Sequence, residues 1–306
     1  MPSPDIQLPG QNPSQKPSQK PSQKQWLGII LLVLAMFLFP LKDAFVKMTD
    51  GYYSAIVVMW TQMLFTSLFY VPIISIKYGP RSLLPANPIL QSLRAISVIT
   101  GIGMFYWSIS LVPLAEATAI TFVAPMVTTA ISPFVLGEKV GLRRWVSVIV
   151  GFVGILIVLR PDFGGDRLGY LIAFGAGISI GFFYVFNRLL ADKAPPLVNL
   201  TYSSVIGALL LTPLIFSVWV PPRPEDWLLI VGFASVAAMG QTCLFTAFLH
   251  GEASILAPMT LAQIVFATLF GYLFFGDFPD TISMLGIVIV VASAVYIAIR
   301  ETRPRT

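Results

Sequence analysis

Ten long runs of apolar residues constrain this chain most, because each run is as long as one crossing of a lipid bilayer. A crossing takes about 20 apolar residues. Only 11% of the 306 residues are charged, whereas a soluble domain carries about 25%. The sequence therefore predicts an all-α polytopic membrane protein. Its ten transmembrane helices are expected near residues 26–47, 53–76, 90–110, 115–136, 142–160, 167–190, 197–219, 226–249, 253–275 and 281–299.

The lysines and arginines predict the orientation of these helices. If the N-terminus is cytoplasmic, most of the 19 basic residues lie inside, and the outer side has only Lys42, Lys47, Arg160, Arg167 and Arg223. Cytoplasmic loops carry such an excess of Lys and Arg. Both termini are therefore expected in the cytoplasm, with the chain in the cell (inner) membrane. The net charge of +5 thus indicates a lipid bilayer as partner, and not a nucleic acid.

Two polar segments flank the apolar region. Residues 1–25 contain PSQK three times in a row, at 13–16, 17–20 and 21–24. This composition cannot bury enough apolar surface to fold, so the segment is predicted to be a disordered cytoplasmic tail. Residues 301–306 are predicted to be a second, shorter cytoplasmic tail.

An internal repeat divides the apolar region into two parts. LGIILLVLAMFLFPLKDAFVK (27–47) aligns without a gap to LGYLIAFGAGISIGFFYVFNR (168–188). Two shorter matches follow in the same order: Glu116-Ala117-Thr118 with Glu252-Ala253-Ser254, and Leu136-Gly137-Glu138 with Phe275-Gly276-Asp277. These matches predict two five-helix repeats, 26–160 and 167–300, with chance similarity between apolar helices as the alternative.

The number of helices in each repeat leads to a mechanism. Because five is odd, the second copy must enter the membrane from the opposite side, so the repeats are expected to be inverted. Inverted repeats are typical of secondary transporters, whose solute site lies near the bilayer midplane between the two copies.

Several motifs between residues 93 and 161 carry a family resemblance. They are Leu93-Arg94-Ala95, VPLAEATAITFVAPM (112–126), LGEKV (136–140) and GFVGILIVLRP (151–161). With them the chain resembles the drug/metabolite transporter superfamily with tandem EamA-type domains, over essentially residues 26–300. Within it, the chain is similar to the subgroup of riboflavin and S-adenosylmethionine uptake carriers.

The resemblance implies a ten-helix fold, a central cavity between the halves, alternating access and no ATPase machinery. One departure concerns the second helix, where relatives often carry an arginine in a pattern like V-V-x-x-R. This chain reads VVMWTQ at 57–62 and has no charge there. A contact between that arginine and an anionic solute is therefore not expected here.

Three charged residues follow Pro40 near the end of the first run. Charged groups within membrane helices are expensive and are functional candidates by default. Asp43 and Lys47 are predicted to share a helix face and pair, because they are four residues apart, with Lys42 pointing elsewhere. Asp43 and Lys47 are assigned to solute binding and Lys42 to gating or coupling. The alternative is that these side chains extend to the membrane interface.

Three further charged residues are candidates for gating or coupling. Arg94 stands at the cytoplasmic start of the third run, where anchoring at the interface is the alternative. Glu116 and Glu252 stand in the first turns of their predicted helices. A carboxylate is stabilised there by the helix dipole, and that structural role is the alternative to proton coupling.

The remaining candidates are aromatic and amide side chains within the predicted helices. An uncharged cavity is lined by apolar and aromatic side chains with a few polar groups. Amides also need polar partners away from lipid. The residues assigned to solute binding on these grounds are Trp60, Gln62, Tyr106, Trp107, Tyr184, Asn187, Gln241 and Gln263.

The sequence does not favour an enzyme or a cofactor. Gly177-Ile178-Ser179-Ile180-Gly181 matches G-x-S-x-G, but a nucleophile elbow requires a strand before it. Inside an apolar run, the two glycines predict a helix-packing face. The lone Cys243 excludes a cysteine metal site, and no Walker A or H-E-x-x-H motif is present. No cofactor or metal is expected.

The sequence thus predicts a secondary transporter of a small organic metabolite, working by alternating access without ATP. An exporter of amino acids or drug-like compounds is an alternative within the same class. A membrane-embedded enzyme or a non-transporting scaffold is the alternative from another class. The expected partners are a small solute and the bilayer, and a homodimer is left open.

Overall fold

A computed structural model describes residues 23–85, 87–135, 137, 141–159, 167–190, 193, 195–250, 256 and 259–301. Most of the predicted tail, together with Glu138 and Glu252, lies outside these residues. Every regular element of the described part is helical. The eleven described α-helices are α1 (Gln23–Lys47), α2 (Ala55–Tyr78), α3 (Pro88–Ile109), α4 (Leu114–Thr121), α5 (Val123–Val135), α6 (Leu142–Leu159), α7 (Arg167–Leu190), α8 (Pro196–Val218), α9 (Trp227–His250), α10 (Ala262–Phe275) and α11 (Thr281–Glu301).

The described helices have the length and composition of membrane crossings. Seven segments are long and apolar enough to span a bilayer, and α4 with α5 forms one of them, Leu114–Val135. Shorter apolar helices lie within α6, α10 and α11. Large apolar side chains such as Ile76 and Phe216 are almost fully exposed, which suits lipid and not water. The all-α, multi-pass prediction is confirmed, while the count of ten and the orientation stay predictions.

The fourth predicted helix, 115–136, is interrupted at Phe122. Its first part, α4, ends at Thr121 and its second part, α5, begins at Val123. The proline ring of Pro125 would meet the carbonyl of Thr121, four residues earlier, and proline has no N–H to donate to it. The break therefore follows from Pro125.

The largest contacts of α1 and of α7 correspond to each other. α1 packs chiefly on α9 and also on α10, whereas α7 packs chiefly on α3 and also on α4 and α5. The remaining large contacts join α2 to α8 and α6 to α11.

Glycines fix the closest of these contacts. A Cβ built on Gly101 of α3 would lie 2.8 Å from Ile180 of α7, and one on Gly240 of α9 would lie 3.0 Å from Phe39 of α1. Phe39 and Ile180 are aligned with each other in the match of 27–47 to 168–188. Continuing that register through α2 and α8 pairs Pro72 with Pro213, the prolines inside these two helices.

The G-x-S-x-G segment lies within α7, where it is a packing surface. A Cβ on Gly177 would lie 2.4 Å from Val123, and one on Gly181 would lie 2.7 Å from Val127. Both partners belong to α5. The predicted helix-packing role of these glycines is confirmed.

The helices form a bundle with two ends. We call the Lys47 end the one at which α1 ends and α2 begins. At this end Tyr53 contacts Asp226, just before α9. We call the Arg81 end the opposite one, at which α2 ends and α3 begins. At this end Tyr202 of α8 donates a hydrogen bond to the carbonyl of Ser82.

Candidate functional site

A buried ion pair lies where α1, α2 and α3 meet. The Nζ of Lys42 donates to Oδ1 of Asp43 and, at 2.9 Å, to the hydroxyl of Tyr106. The Tyr106 hydroxyl in turn donates to Oε1 of Gln62. Lys42 is 8% exposed and Asp43 is 2% exposed. We call these four residues the Lys42 cluster.

Three helices position the Lys42 cluster. Lys42 and Asp43 follow Pro40 in the last two turns of α1, Gln62 lies in the third turn of α2, and Tyr106 lies in the last turn of α3. Phe233 of α9 packs edge-on against Tyr106, with ring centroids 6.1 Å apart. Because charges buried in a membrane helix are costly, this cluster is the first candidate for a solute site.

The predicted pairing of Asp43 with Lys47 was wrong. Lys47 forms an ion pair with Asp277, with 2.7 Å between Nζ and Oδ2, and donates to the carbonyl of Val112 at 3.3 Å. The long stem of Lys47 carries its ammonium beyond the end of α1 to the residues that follow α10. Asp43 is instead neutralised by its own neighbour, so Lys42 does not point elsewhere as expected.

A second polar cluster surrounds Arg94 towards the Arg81 end. Its Nε donates to Oδ1 of Asn187 on α7, and its Nη1 donates to the carbonyl of Asn199 and, at 2.7 Å, to Oγ of Ser203, both on α8. Gln91 accepts a longer bond from Nη1, at 3.5 Å. Arg94 is 4% exposed, so its guanidinium is buried among protein groups. We call these five residues the Arg94 cluster.

Glu116 lies in the first turn of α4, as the sequence predicted. It is buried and accepts a hydrogen bond from the hydroxyl of Tyr170 on α7. This contact joins α4 to α7 near the Lys47 end. Its predicted counterpart, Glu252, lies outside the described residues.

Two predicted tryptophans line cavities at the Lys47 end. Trp60 donates from Nε1 to Thr212 at 3.0 Å. It packs edge-on against Trp219, with ring centroids 6.3 Å apart, and both rings line an apolar cavity of about 230 Å³. Trp107 lines a second cavity of about 330 Å³ together with Lys47 and Tyr106. This second cavity reaches the Lys42 cluster through Tyr106.

The other predicted side chains separate into two groups. Gln62 and Tyr106 join the Lys42 cluster, and Asn187 joins the Arg94 cluster. In the described part of the chain, neither cluster receives a hydrogen bond from Tyr184, Gln241 or Gln263. Tyr184 is 42% exposed, and the two glutamines are half-buried.

Sequence reasoning missed several residues that complete these clusters. Gln91, Asn199 and Ser203 were not singled out, although Gln91 stands one helical turn before Arg94. Asp277 was aligned with Glu138 but was not matched with Lys47. No sequence pattern predicts a contact between Asp277 and Lys47, because the two residues are far apart along the chain.

Loops close the Lys47 end between the two halves of the chain. The hydroxyl of Tyr53 donates to Oδ2 of Asp226 at 2.9 Å and accepts from the backbone N–H of Arg223 at 3.1 Å. The guanidinium carbon of Arg223 lies 3.5 Å from the ring centroid of Tyr52. Together with the pair formed by Lys47 and Asp277, these contacts connect the start of α2 to the loops before α9 and after α10.

The bundle consists of apolar helices packed around buried charges and polar clusters. This arrangement defines a multi-pass membrane protein with the features of a transporter. The EamA-like transporter family matches residues 26–160 and 167–299. The chain therefore belongs to the EamA-like transporter family, within the drug/metabolite transporter superfamily, and is a multi-pass protein of the cell (inner) membrane.

Curated relatives of this chain are transporters by name. An S-adenosylmethionine uptake transporter of Rickettsia prowazekii is 26% identical over 90% of this chain and 94% of its own length. A riboflavin transporter of Vibrio cholerae is 30% identical over 69% of this chain and 72% of its own length. A pseudopaline exporter of Pseudomonas aeruginosa is 25% identical over 88% of this chain and 94% of its own length.

A solved crystal structure has the same fold. It superposes with a TM-score of 0.63 at 17% identity, covering 93% of this chain and 100% of the other.

Proposed function

We propose that this protein is a secondary carrier of a small organic metabolite, working by alternating access with its solute site between two inverted five-helix repeats. The observation that carries the proposal is the Lys42 cluster. It places a buried ion pair inside an apolar helix, beside a cavity and against α9 of the second repeat. A polar site of this kind within a membrane bundle is expected on a solute pathway.

The reciprocal helix contacts support the inverted repeats. If repeats 26–160 and 167–300 are exchanged, α1 becomes α7 and α3 becomes α9. The contact of α1 with α9 then becomes the contact of α7 with α3, which is the other large contact of these helices. The contacts of α2 with α8 and of α6 with α11 map onto themselves. This pattern also accords with ten crossings, if α4 and α5 count as one.

Exchange of the repeats gives alternating access a structural basis. Because equivalent helices of the two repeats pack against each other, rocking one repeat against the other closes one end of the bundle as it opens the other. The contacts formed by Tyr53 and Asp226, and by Lys47 and Asp277, close the Lys47 end. We propose that these contacts break when that end opens.

The chemistry of the Lys42 cluster supports binding of a polar, uncharged part of a solute. Asp43 matches the charge of Lys42, so the cluster has no net charge but keeps hydrogen-bond donors and acceptors. The aromatic faces of Tyr106 and Phe233 add an apolar surface. S-adenosylmethionine and riboflavin, which relatives transport by name, both contain planar ring systems with hydrogen-bonding groups.

Transport by the purified full-length chain in proteoliposomes tests the proposal. We expect saturable flux of labelled S-adenosylmethionine or riboflavin, measured in both directions because the relatives include uptake carriers and an exporter. Protein-free liposomes are the control. If a folded, monodisperse preparation moves no member of a panel extended to nucleosides and amino acids, the carrier proposal is wrong.

A further inference from the structure

Arg94 is a buried cation without a carboxylate partner in the described structure. Its contacts are with the amide oxygens of Asn187 and Gln91, the carbonyl of Asn199 and the hydroxyl of Ser203. All of these groups are neutral. An ion in a low-dielectric interior is costly unless an opposite charge lies near it. Hydrogen bonds solvate this guanidinium, but they do not neutralise it.

The hydrogen bonds of Arg94 leave part of its guanidinium available. A guanidinium has five N–H donors in a planar fork. Nε and Nη1 donate within the Arg94 cluster, whereas Nη2 donates to no group among the residues that the structure describes. A carboxylate binds such a fork through charge-assisted bonds, which are stronger than bonds between neutral groups.

Comparison of the two repeats shows what is missing beside Arg94. Arg94 on α3 and Phe233 on α9 occupy equivalent positions, because each lies the same number of residues before a close-packed glycine, Gly101 or Gly240. The match of 27–47 to 168–188 aligns Lys42 with Phe183. The Cζ of Arg94 lies 5.0 Å from the ring centroid of Phe183. Around each cluster, one cation and one phenylalanine therefore lie on exchanged helices: Lys42 on α1 with Phe233 on α9, and Arg94 on α3 with Phe183 on α7.

The counter-ion, however, is present in only one of the two repeats. Asp43 neutralises Lys42, but the aligned residue beside Phe183 is Tyr184. The second repeat therefore has a tyrosine, and no carboxylate, at the position equivalent to Asp43.

A cavity leads to the Arg94 cluster from the Arg81 end. It has a volume of about 320 Å³, and its lining includes Gln91, Asn87 and Lys193. Gln91 connects the cavity to the cluster, because it also donates to Asn199 at 2.6 Å. A small solute at this end can therefore approach Arg94 past a second cation.

We propose that Arg94 binds a carboxylate group of the transported solute at the Arg81 end of the pathway. The inference rests on the proposed carrier function and adds a substrate class to it, a carboxylate-bearing metabolite. Tyr106 and Arg94 are separated along α3 by about 18 Å, at 1.5 Å per residue. The Arg94 site is therefore a position on the pathway separate from the Lys42 cluster.

The test uses pairs of probes that differ in a carboxylate. Purified full-length protein in phosphatidylcholine liposomes, which contain no anionic lipid, is assayed with S-adenosylmethionine against its decarboxylated analogue, and with glutamate against its diamide. For at least one pair we expect the carboxylate-bearing member to have a half-saturating concentration at least 10-fold lower. Arg94→Gln is expected to remove that preference, and Lys193→Gln, at the exposed cation of the same cavity, is expected to keep it.

A second variant separates the proposed role from folding. Asn187→Asp places a carboxylate against Nε of Arg94, so it should neutralise the cation without exposing it. We expect normal size-exclusion behaviour and a melting temperature no lower than that of the wild type, with the carboxylate preference lost. Arg94→Lys is expected to retain a weaker preference.

The outcomes distinguish this site from the carrier function. Flux that shows no carboxylate preference, or a preference that survives in both Arg94→Gln and Asn187→Asp, overturns the Arg94 site and leaves the carrier proposal standing. Absence of flux for every probe in folded wild-type protein removes both proposals. If added anionic lipid abolishes the preference while flux of the probes without a carboxylate persists, lipid headgroups outcompete the solute at Arg94 and the solute proposal is overturned.

Discussion

The ion pair of Lys42 and Asp43 predicts that a single substitution destabilises the chain far more than the double substitution does. Asp43→Asn leaves the Lys42 ammonium buried, with the Tyr106 hydroxyl at 2.9 Å as a neutral partner. Removing one member of a buried pair typically costs about 3–5 kcal/mol. Removing both charges, in Lys42→Met with Asp43→Asn, eliminates the unpaired charge and is often close to neutral.

Thermal unfolding of the purified chain in detergent measures this difference. One kcal/mol shifts the melting temperature of a chain of 150–250 residues by about 2–4 °C. By that scale Asp43→Asn should lower the apparent melting temperature by about 10 °C, and the double variant should recover most of the loss. The matched control is Asp277→Asn, whose side chain is 33% exposed. Partial exposure limits its effect to about 1 kcal/mol.

Transport by the same variants separates stability from function. We expect the double variant to be stable but inactive, because the cluster loses its hydrogen-bonding charges while Gln62 and Tyr106 remain. Asp43→Asn should reduce transport more than Asp277→Asn. If Asp43→Asn melts and transports like the wild type, Lys42 does not depend on Asp43. If the stable double variant transports normally, the cluster is not a solute site.

Three further experiments test the packing and the closed Lys47 end. A double-mutant cycle of Lys47→Met and Asp277→Asn should give a coupling free energy of about 0.5–1 kcal/mol that shrinks at high salt, and no coupling would contradict the ion pair. Gly286→Ala places a Cβ 2.6 Å from Val158 and 2.8 Å from the backbone oxygen of Gly154. It should destabilise the chain by about 1–3 kcal/mol, whereas Gly103→Ala, with no atom within 4 Å, should have little effect in the same melting assay. Tyr53→Phe removes the donor to buried Asp226 and should cost about 1–3 kcal/mol in thermal unfolding. Tyr52→Phe, which loses only a long bond to the carbonyl of Pro221 at 3.4 Å, is the control, and equal losses would refute the assigned role of Tyr53.

Hydrophobicity predicted most of the helices because every membrane-spanning backbone must satisfy its own hydrogen bonds. The run 167–190 coincides with α7, and the run 26–47 differs from α1 only at its start. The break at Phe122 was not predicted, although Pro125 stands within that run. A hydropathy pattern averages over such a break, since α4 and α5 are both apolar.

The sequence predicted which residues are charged within the membrane, but not which groups they contact. Lys47 reaches Asp277 because two loops meet in the folded bundle, and no local spacing encodes that approach. Arg94 lies two turns into α3, where a free helix would let it reach the interface. Asn187 and Ser203 reach it from α7 and α8 instead, so only tertiary packing shows that it is buried.

The two ends of this bundle share one packing arrangement but differ in charge. In the register that aligns Phe39 with Ile180, the first repeat has Lys42 and Asp43 where the second has Phe183 and Tyr184. Interchanging equivalent helices preserves the helix contacts, so the difference lies in the side chains alone. Under the proposed mechanism, a carboxylate-bearing solute is held at Arg94 by a net positive charge and at the Lys42 cluster by hydrogen bonds without net charge. A solute gradient still sets the direction of net flux, because unequal binding at the two ends changes occupancy and leaves the overall equilibrium unchanged.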